Sequence, residues 1–184
     1  MEFPPFDPAP TLQLVDARLR ATTDLHRRAA LDNFLAHLRA EWAGDLDAIM
    51  ATLSASPRFR FFTPGDPGGD GPSGRDAVAR WYSSMFAHGY HKHVAVFERL
   101  VVDDDVIITE GWMHTPYRGE VLGRLGLDVD PHGWYRYSAR VVAVLPQVVE
   151  QGRVLMRGEE VYIVPDLPTA DTVSPLDPSE LPDW

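Results

Sequence analysis

The spacing of apolar residues changes at Gly89, and this change limits the possible folds more than any other feature of the sequence. Before Gly89 the apolar residues recur at helical spacing. One such stripe consists of Leu31, Phe34, Leu35, Leu38 and Trp42. After Gly89 apolar and polar residues alternate, which is typical of strands. The chain is therefore predicted to form two or three helices, a strand, a further helix and then an antiparallel meander of strands, which is an α+β plan.

The limits of these elements follow from the same pattern. Helix is predicted from Thr11 to Trp42, where Thr22–Asp24 either caps a second helix or only marks a bend. A short helix after Gly44 is expected to end at Pro57, and a further helix at Gly89. Strands are predicted near residues 58–63, 91–102, 105–118, 133–146 and 152–164.

The two ends of the chain differ in composition from its middle. Residues 1–10 are proline-rich and predict an extended arm. Residues 166–184 are proline-rich and acidic, and predict a tail with little regular structure. Residues 11–165 are expected to form a single domain, because a chain of 184 residues is long enough for one domain with a substantial core.

Charge and cysteine content exclude several classes of function. The net charge is −10 and there is no basic cluster, so neither nucleic acid nor a membrane surface is expected as a partner. The absence of cysteine excludes disulfides, cysteine nucleophiles and thiolate zinc sites. The N-terminus has no apolar signal segment and no run reaches the length of a membrane span, so a cytoplasmic location is expected.

One predicted strand carries a carboxylate at its centre. Side chains alternate along a strand, so Glu110 shares one face with Trp112 and His114. Two interpretations are open. Either Glu110 forms a cross-strand ion pair with Arg136 or Arg140 on a solvated face, or it lies at the wall of a pocket.

In the second interpretation Glu110 acts as a general base. Burial beside another carboxylate, Glu160, would make it an acid or base near neutral pH. A histidine next to a carboxylate is a common acid–base unit, which makes His114 or His93 the proton partner. The predicted catalytic residues are therefore Glu110, His114, His93 and Glu160.

Two motifs resemble cofactor sites only in part. HKHVAVFE places His91, His93 and Glu98 at the spacing of a cupin metal site, but the expected glycine and the second cupin half are missing. GDGPSG has the glycine spacing of a dinucleotide-binding loop, but Asp70 and Pro72 stand where bare backbone N–H groups are needed. No metal and no cofactor are expected. A metal-dependent enzyme that uses His91, His93 and Glu98 is an alternative.

Four stretches occur in the order typical of one superfamily. They are EWAGDLDAIMATLS (41–54), SGRDAVARWYSSMF (73–86), VVDDDVIITEG (101–111) and GEEVYIV (158–164). In this order and spacing, residues 22–165 resemble the nuclear transport factor 2-like superfamily, and within it the SnoaL-like group. The resemblance implies a cone-shaped, strongly bent antiparallel sheet with three or four helices packed on one face and a small-molecule pocket at its open end.

The same resemblance implies a function. The group includes polyketide cyclases, isomerases of the ketosteroid type, scytalone dehydratase-like enzymes and members without known activity. It implies a cofactor-independent acid–base isomerase, cyclase or dehydratase for a small apolar oxygenated substrate, or a non-catalytic binding or interaction protein of the same fold. In the dehydratase-like members a histidine near the position of His93 acts on the substrate. The residues expected to bind the substrate are Trp42, Trp81, Tyr82, Trp112, Tyr137 and Arg140.

A homodimer is also expected. The strand near residues 133–146 is apolar on both faces, at Val141, Val142, Ala143, Val144 and Leu145. The helices cover only one face of the sheet, so the other face needs a partner, and members of this fold often pair through it.

Overall fold

The computed structural model describes residues 5–63 and 65–181. These residues form five α-helices and a six-stranded sheet. The helices are α1 (Ala9–Ala21), α2 (Leu25–Ala43), α3 (Leu46–Thr52), α4 (Arg75–Ala87) and α5 (Gly119–Arg124). The strands are β1 (Leu53–Phe62), β2 (Val94–Val102), β3 (Val106–Arg118), β4 (Trp134–Glu150), β5 (Arg153–Val164) and β6 (Val173–Leu176). No helix in this part of the chain is long and apolar enough to cross a bilayer.

The sheet is curved and open, which confirms the predicted α+β cone. Its strand order is β1-β5-β4-β3-β2, and β6 pairs with the first residues of β4. β1 and β5 run parallel, whereas the other neighbours run antiparallel. The register shifts between Phe97 and Arg99 on β2 and between Val144 and Gln147 on β4. Such bulges bend strands and increase their twist, so they help to curve the sheet.

The predicted helix from Thr11 to Trp42 is two helices. The Asp24 carboxylate accepts a hydrogen bond from the backbone N–H of Arg27 at 2.9 Å and so caps the start of α2. Of the two interpretations of this segment, the cap is therefore correct. α2 ends at Ala43, and the next residue, Gly44, caps it in the left-handed conformation with a φ of 69°.

The first strand begins earlier than predicted. β1 starts at Leu53, so the short helix before it ends at Thr52 rather than at Pro57. Proline lacks an N–H and is tolerated in a strand where the ladder is interrupted. Such an interruption exists here, because the register between β1 and β5 shifts between Leu53 and Arg58.

The core lies between the inner face of the sheet and the helices. Its fully buried side chains include Leu31, Ile49, Phe59, Val78, Tyr82, Ile107 and Met156. Ile107 on β3 pairs with Leu145 on β4, and both belong to this core. On these two strands the odd-numbered residues therefore point inward, and the even-numbered residues point to the outer face.

The two chain ends cover part of the outer face. The Phe6 ring lies 4.4 Å from the guanidinium carbon of Arg136, and Phe6 packs in one cluster with Leu176 of β6. The segment after residue 165 was predicted to have little regular structure, yet it contains β6 and a short 3₁₀ helix. β6 occupies the edge of Trp134–Tyr137, where β4 extends beyond its pairing with β5. Residues 1–4 of the predicted arm and 182–184 of the predicted tail lie outside the described residues.

Candidate functional site

A cavity of about 510 Å³ lies inside the cone, between the inner face of the sheet and helices α2 and α4. This volume is within the range of small-molecule sites. Ser84 and His88, near the end of α4, are lining residues that are exposed, so they mark the mouth. Most of the wall is apolar, and its apolar residues include Phe34, Leu38, Phe61, Trp81, Met85, Phe97, Val141, Leu145, Val161 and Ile163.

A group of ionisable side chains interrupts this apolar wall. His37 and Glu41 are four residues apart on α2, so they share a helix face, and Phe34 and Leu38 line the cavity from the same face. Glu159 reaches the cavity from β5. Its Oε1 atom lies 3.3 Å from Nε2 of His37. The cavity therefore contains a histidine–carboxylate pair and a second carboxyl group.

Hydrogen bonds fix one proton on the His37 ring. The Thr52 hydroxyl lies 2.6 Å from the Ile49 carbonyl and donates its proton there. It therefore accepts a hydrogen bond from His37 Nδ1, 2.8 Å away, so Nδ1 carries a proton. On the other side of the ring, Nε2 faces the Tyr82 hydroxyl at 3.0 Å as well as Glu159. A neutral His37 accepts from Tyr82, and a protonated His37 donates to Glu159.

The surroundings of His37 raise its pKa. Burial alone lowers this pKa, but the hydrogen bond to Glu159 and the negative charges of Glu159 and Glu41 outweigh burial. For Tyr82, burial raises the pKa well above its ordinary value, and the same two carboxylates add to the effect. Tyr82 therefore remains a hydrogen-bond donor, while His37 gains a proton more readily than a free histidine.

Glu41 has a different environment from Glu159. Its carboxyl group forms no hydrogen bond or ion pair with any other residue that the structure describes. Burial raises the pKa of Glu41; the charge of His93 lowers it, and that of Glu159 raises it again, with a net upward shift. Glu41 therefore keeps its proton to a higher pH than an ordinary glutamate and is the natural acid of the site.

The raised pKa of Glu41 predicts a pH-dependent contribution to stability. A carboxyl group with a higher pKa in the folded than in the unfolded state binds more protons when folded, so its contribution falls as pH rises. This contribution to stability begins to fall near the pKa of the unfolded state, 4.5, and stops falling above the pKa of the folded state. We expect Glu41→Gln to remove this slope from the free energy of unfolding, measured in urea between about pH 4 and 7. The exposed Glu120→Gln is the control, and an unchanged slope in Glu41→Gln would contradict the assignment.

The prediction that Glu110 lies inside the cone is wrong. Glu110 points to the outer face of β3, where its two carboxylate oxygens each lie 2.7 Å from an arginine, Arg99 and Arg140. Arg140 also pairs with Glu98 at 2.8 Å. The alternative, a cross-strand ion pair with Arg140, is therefore correct. The physical reason is strand parity, which puts Thr109 and Gly111 rather than Glu110 at the cavity wall.

His114 and Glu160 also lie on the outer side of the sheet. His114 Nδ1 is 2.8 Å from the Ser138 hydroxyl. Burial lowers the pKa of His114 to about 4, and the positive charge of Arg136 acts in the same direction. Glu160 lies 3.6 Å from Arg60. Both residues belong to the outward-pointing sets of their strands and are not part of the cavity wall.

Four predicted site residues do border the cavity. His93 lines it at the start of β2, Trp81 lines it from α4, and Tyr137 lines it from β4. Trp112 borders it as well, but its indole ring lies 5.2 Å from the Arg140 guanidinium on the outer face. His93, Trp81 and Tyr137 therefore remain candidates for contact with a ligand.

The other predicted substrate-binding residues lie elsewhere. Tyr82 is buried behind the wall, where it contacts His37. Trp42 borders a separate small cavity of about 40 Å³ next to α1. Arg140 is on the outer face with Glu110. These corrections share one cause. Whether an aromatic or charged side chain reaches the cavity depends on which face of its helix or strand points inward, and its position in the sequence does not determine this.

The residues of the alternative metal site do not converge. His93 faces the cavity, whereas the His91 ring packs against Phe86 with centroids 5.0 Å apart. Glu98 pairs with Arg140 on the outer face. In the part of the chain that the structure describes, no group of three or more His, Cys, Asp or Glu could hold a metal ion.

Sequence reasoning missed His37, Glu41 and Glu159. A signal for the first two was present, because both fall on the apolar stripe of α2, at helical spacing from Phe34. A histidine and a glutamate on a buried stripe need a partner or a function. For Glu159 the sequence offered no such signal, since it is adjacent to Glu160 and only the strand's orientation separates them.

Comparison with known proteins gives a family model match. Residues 34–155, well over half of the chain, match the model of the SnoaL-like domain. The matched range contains His37, Glu41 and His93 but ends before Glu159. No curated protein matches the sequence.

Several solved structures share the fold. A putative SnoaL-like polyketide cyclase from Shewanella putrefaciens CN-32 gives a TM-score of 0.59 at 13% identity, covering 89% of this chain and 92% of that one. A second putative SnoaL-like polyketide cyclase, from Shewanella denitrificans OS-217, gives 0.52 at 13% identity, with 72% and 88% covered. An NTF2-like protein from Anabaena variabilis ATCC 29413 gives 0.52 at 13% identity, with 79% and 95% covered. At such identities the similarity concerns the fold alone.

Proposed function

Because the chain belongs to the SnoaL-like domain family, we propose that it is a cofactor-independent enzyme that moves a proton beside a carbonyl group of a small, largely apolar substrate. The observation that carries the proposal is the His37–Glu159 pair, 3.3 Å apart in an otherwise apolar cavity that also holds Glu41. Buried ionisable groups with a shifted pKa are costly and cluster at functional sites. Isomerisation, aldol-type cyclisation and dehydration all use this proton transfer.

Glu159 is the proposed general base. Its side chain is 17% exposed at the cavity, whereas that of His37 is 1% exposed, so a substrate can reach the carboxylate but not the ring. The carboxylate takes the proton from the carbon next to the carbonyl, and the electron pair of the broken C–H bond forms an enolate. His37 is a positioning residue, because its protonated ring donates from Nε2 to Glu159 and so holds the carboxylate in one orientation, and Tyr82 contacts the same ring nitrogen.

Glu41 is the proposed acid that stabilises the enolate oxygen. Its raised pKa favours the protonated form, which donates a hydrogen bond to the developing negative charge. The apolar wall strengthens this interaction, since it excludes water from the site. His93 borders the same cavity and is the proposed proton partner of Glu41, whose pKa responds to its charge.

Hydrogen–deuterium exchange tests this function without knowledge of the natural substrate. A panel of neutral aromatic and polycyclic ketones is incubated with the protein in deuterium oxide, and deuterium uptake at the carbon next to the carbonyl is followed by mass spectrometry. We expect uptake above the buffer rate for those ketones that bind the cavity. Binding of such ketones without any accelerated exchange would contradict proton abstraction.

A non-catalytic small-molecule-binding protein is the second candidate. The observation that favours it is the hydrogen-bonded chain from Thr52 through His37 to Tyr82, whose three side chains are buried as in a polar core cluster. Quenching of tryptophan fluorescence by a ketone, without exchange, is the result expected for this candidate.

The expected homodimer is part of the proposal. Several residues of the outer sheet face are apolar and exposed, with Val101, Tyr162 and Val164 at 51%, 43% and 60%. Burial of such a surface against a second copy removes it from water. Light scattering at micromolar concentration is expected to give twice the chain mass of 20.6 kDa. A mass equal to one chain would contradict the dimer.

A further inference from the structure

The cavity wall is uneven in charge. Its described lining residues include three carboxylates, Glu41, Glu159 and Asp166, but no lysine and no arginine. The residues outside the described ranges contain neither of these two amino acids. Histidines are therefore the basic groups of the wall. An anionic ligand such as a carboxylate or phosphate would lose its hydration here without gaining an arginine or lysine partner.

Three tyrosines form a continuous aromatic surface near the mouth. The ring centroids of Tyr90 and Tyr117 are 5.1 Å apart, and those of Tyr117 and Tyr137 are 5.9 Å apart with perpendicular planes. All three line the cavity, and Tyr90 stacks on the exposed His88. Burial raises the pKa of Tyr117 to about 12 and also raises that of Tyr137. The phenols therefore stay neutral, and their ring faces keep the partial negative charge of the π-system.

Asp166 adds a full negative charge next to these rings. The hydroxyl of Tyr137 donates a hydrogen bond to the carbonyl of Pro165, so the chain at Asp166 is tied to the aromatic surface. The Asp166 carboxylate is close enough to act on the Tyr137 hydroxyl electrostatically. Within residues 5–63 and 65–181, the Asp166 carboxylate forms neither a hydrogen bond nor an ion pair. A half-buried carboxylate without a partner gains from a cation that a ligand brings.

We infer that Asp166, Tyr90, Tyr117 and Tyr137 bind the protonated amine of a ligand whose apolar body fills the rest of the cavity. Aromatic faces attract a cation, and a carboxylate is its charge-assisted hydrogen-bond partner. The inference rests on the proposed function in one respect, because both assume that this cavity is the ligand site. It adds the substrate class, an apolar molecule with a basic nitrogen.

The amine site and the proton-transfer site lie at different places in the cavity. Glu159 and Ile163 both line it and are four residues apart on β5, which corresponds to about 13 Å. Asp166 follows Ile163 in the chain, so it belongs to the far end of this span. The amine therefore anchors the ligand, while the carbon that loses its proton lies next to Glu159.

Three probes with the same aromatic body test the inference. They are naphthylethylammonium, naphthylethanol and naphthylpropionate, which are cationic, neutral and anionic, and their binding to the full chain is measured by calorimetry. We expect the cation to bind about tenfold more tightly than the alcohol and the anion more weakly than either. Asp166→Asn is expected to weaken the cation about tenfold and to leave the alcohol unchanged. Asp171→Asn, at an exposed position of the same connection, is the matched control.

Equal affinity for cation and alcohol in the unchanged protein would overturn the inference, as would equal effects of Asp166→Asn and Asp171→Asn on the cation. Failure of all three probes to bind would overturn it too. None of these results touches the exchange of deuterium into ketones, so the amine site and the proposed function fail or succeed separately.

Discussion

Glutamine in place of Glu159 is expected to lower the rate of deuterium exchange into a bound ketone by about 10²–10⁴-fold, which is the usual contribution of a general base. Glutamine keeps the size of the side chain and retains an acceptor oxygen for His37, but it cannot take a proton. The loss should therefore appear in kcat, while the affinity for the ketone changes little. The rate is measured by mass spectrometry, and the affinity by tryptophan fluorescence.

The adjacent residue provides the control. Glu160 points to the outer face of β5, next to Arg60, so Glu160→Gln makes the same chemical change one position away from the cavity. It is expected to leave kcat unchanged. If both variants lose the same activity, or if neither does, Glu159 is not the base. A folded Glu159→Gln protein by circular dichroism excludes unfolding as the cause of its loss.

Alanine in place of Gly158 is expected to destabilise the protein by at least about 3 kcal/mol. Gly158 has a φ of +137°, a conformation that residues with a side chain rarely adopt. A Cβ atom there would lie 1.8 Å from the carbonyl oxygen of Arg58. This oxygen belongs to the backbone of β1, and Arg58 and Gly158 pair at the parallel junction of β1 and β5. The clash therefore cannot be relieved by a side-chain rotation.

Gly152→Ala separates conformational strain from this clash. Gly152 also has a positive φ, of +77°, but a Cβ atom there would meet nothing within 4 Å. Its replacement is expected to cost only about 1 kcal/mol. Urea denaturation measures both variants. Equal losses would mean that the close approach of β1 and β5 is not what requires glycine at position 158. Because Gly158 precedes Glu159, its replacement should also lower the exchange rate.

Periodicity was sufficient to predict the α+β class, whereas the cone shape was predicted from the family resemblance. The change of period at Gly89 correctly separated α1–α4 from the four long strands β2–β5, although β1 precedes it and the short helix α5 follows it. The strand β6 could not be predicted in this way. Its four residues contain a proline and form a strand only because β4 extends beyond β5 and leaves an edge open.

The site was predicted less well, because alternation defines two faces of a strand but not which of them points inward. Both faces of β3 mix apolar and polar residues, so Glu110 and His114 were as plausible as Thr109 and Thr115. The structure resolves this choice through Ile107, which belongs to the core. The carboxylate of Glu110 then needs no cavity, since Arg99 and Arg140 neutralise it on the outer face.

We propose that the inner cavity holds an enolate between Glu159 and Glu41, and a crystal structure with β-naphthol tests this arrangement. This planar phenol is neutral and apolar, and its oxygen stands in for the enol oxygen of the proposed intermediate. We expect β-naphthol inside the cavity, with its oxygen within about 3.2 Å of the carboxyl group of Glu41 or Glu159. A cavity without β-naphthol at saturating concentration, or a ligand oxygen that contacts neither carboxyl group, would contradict it.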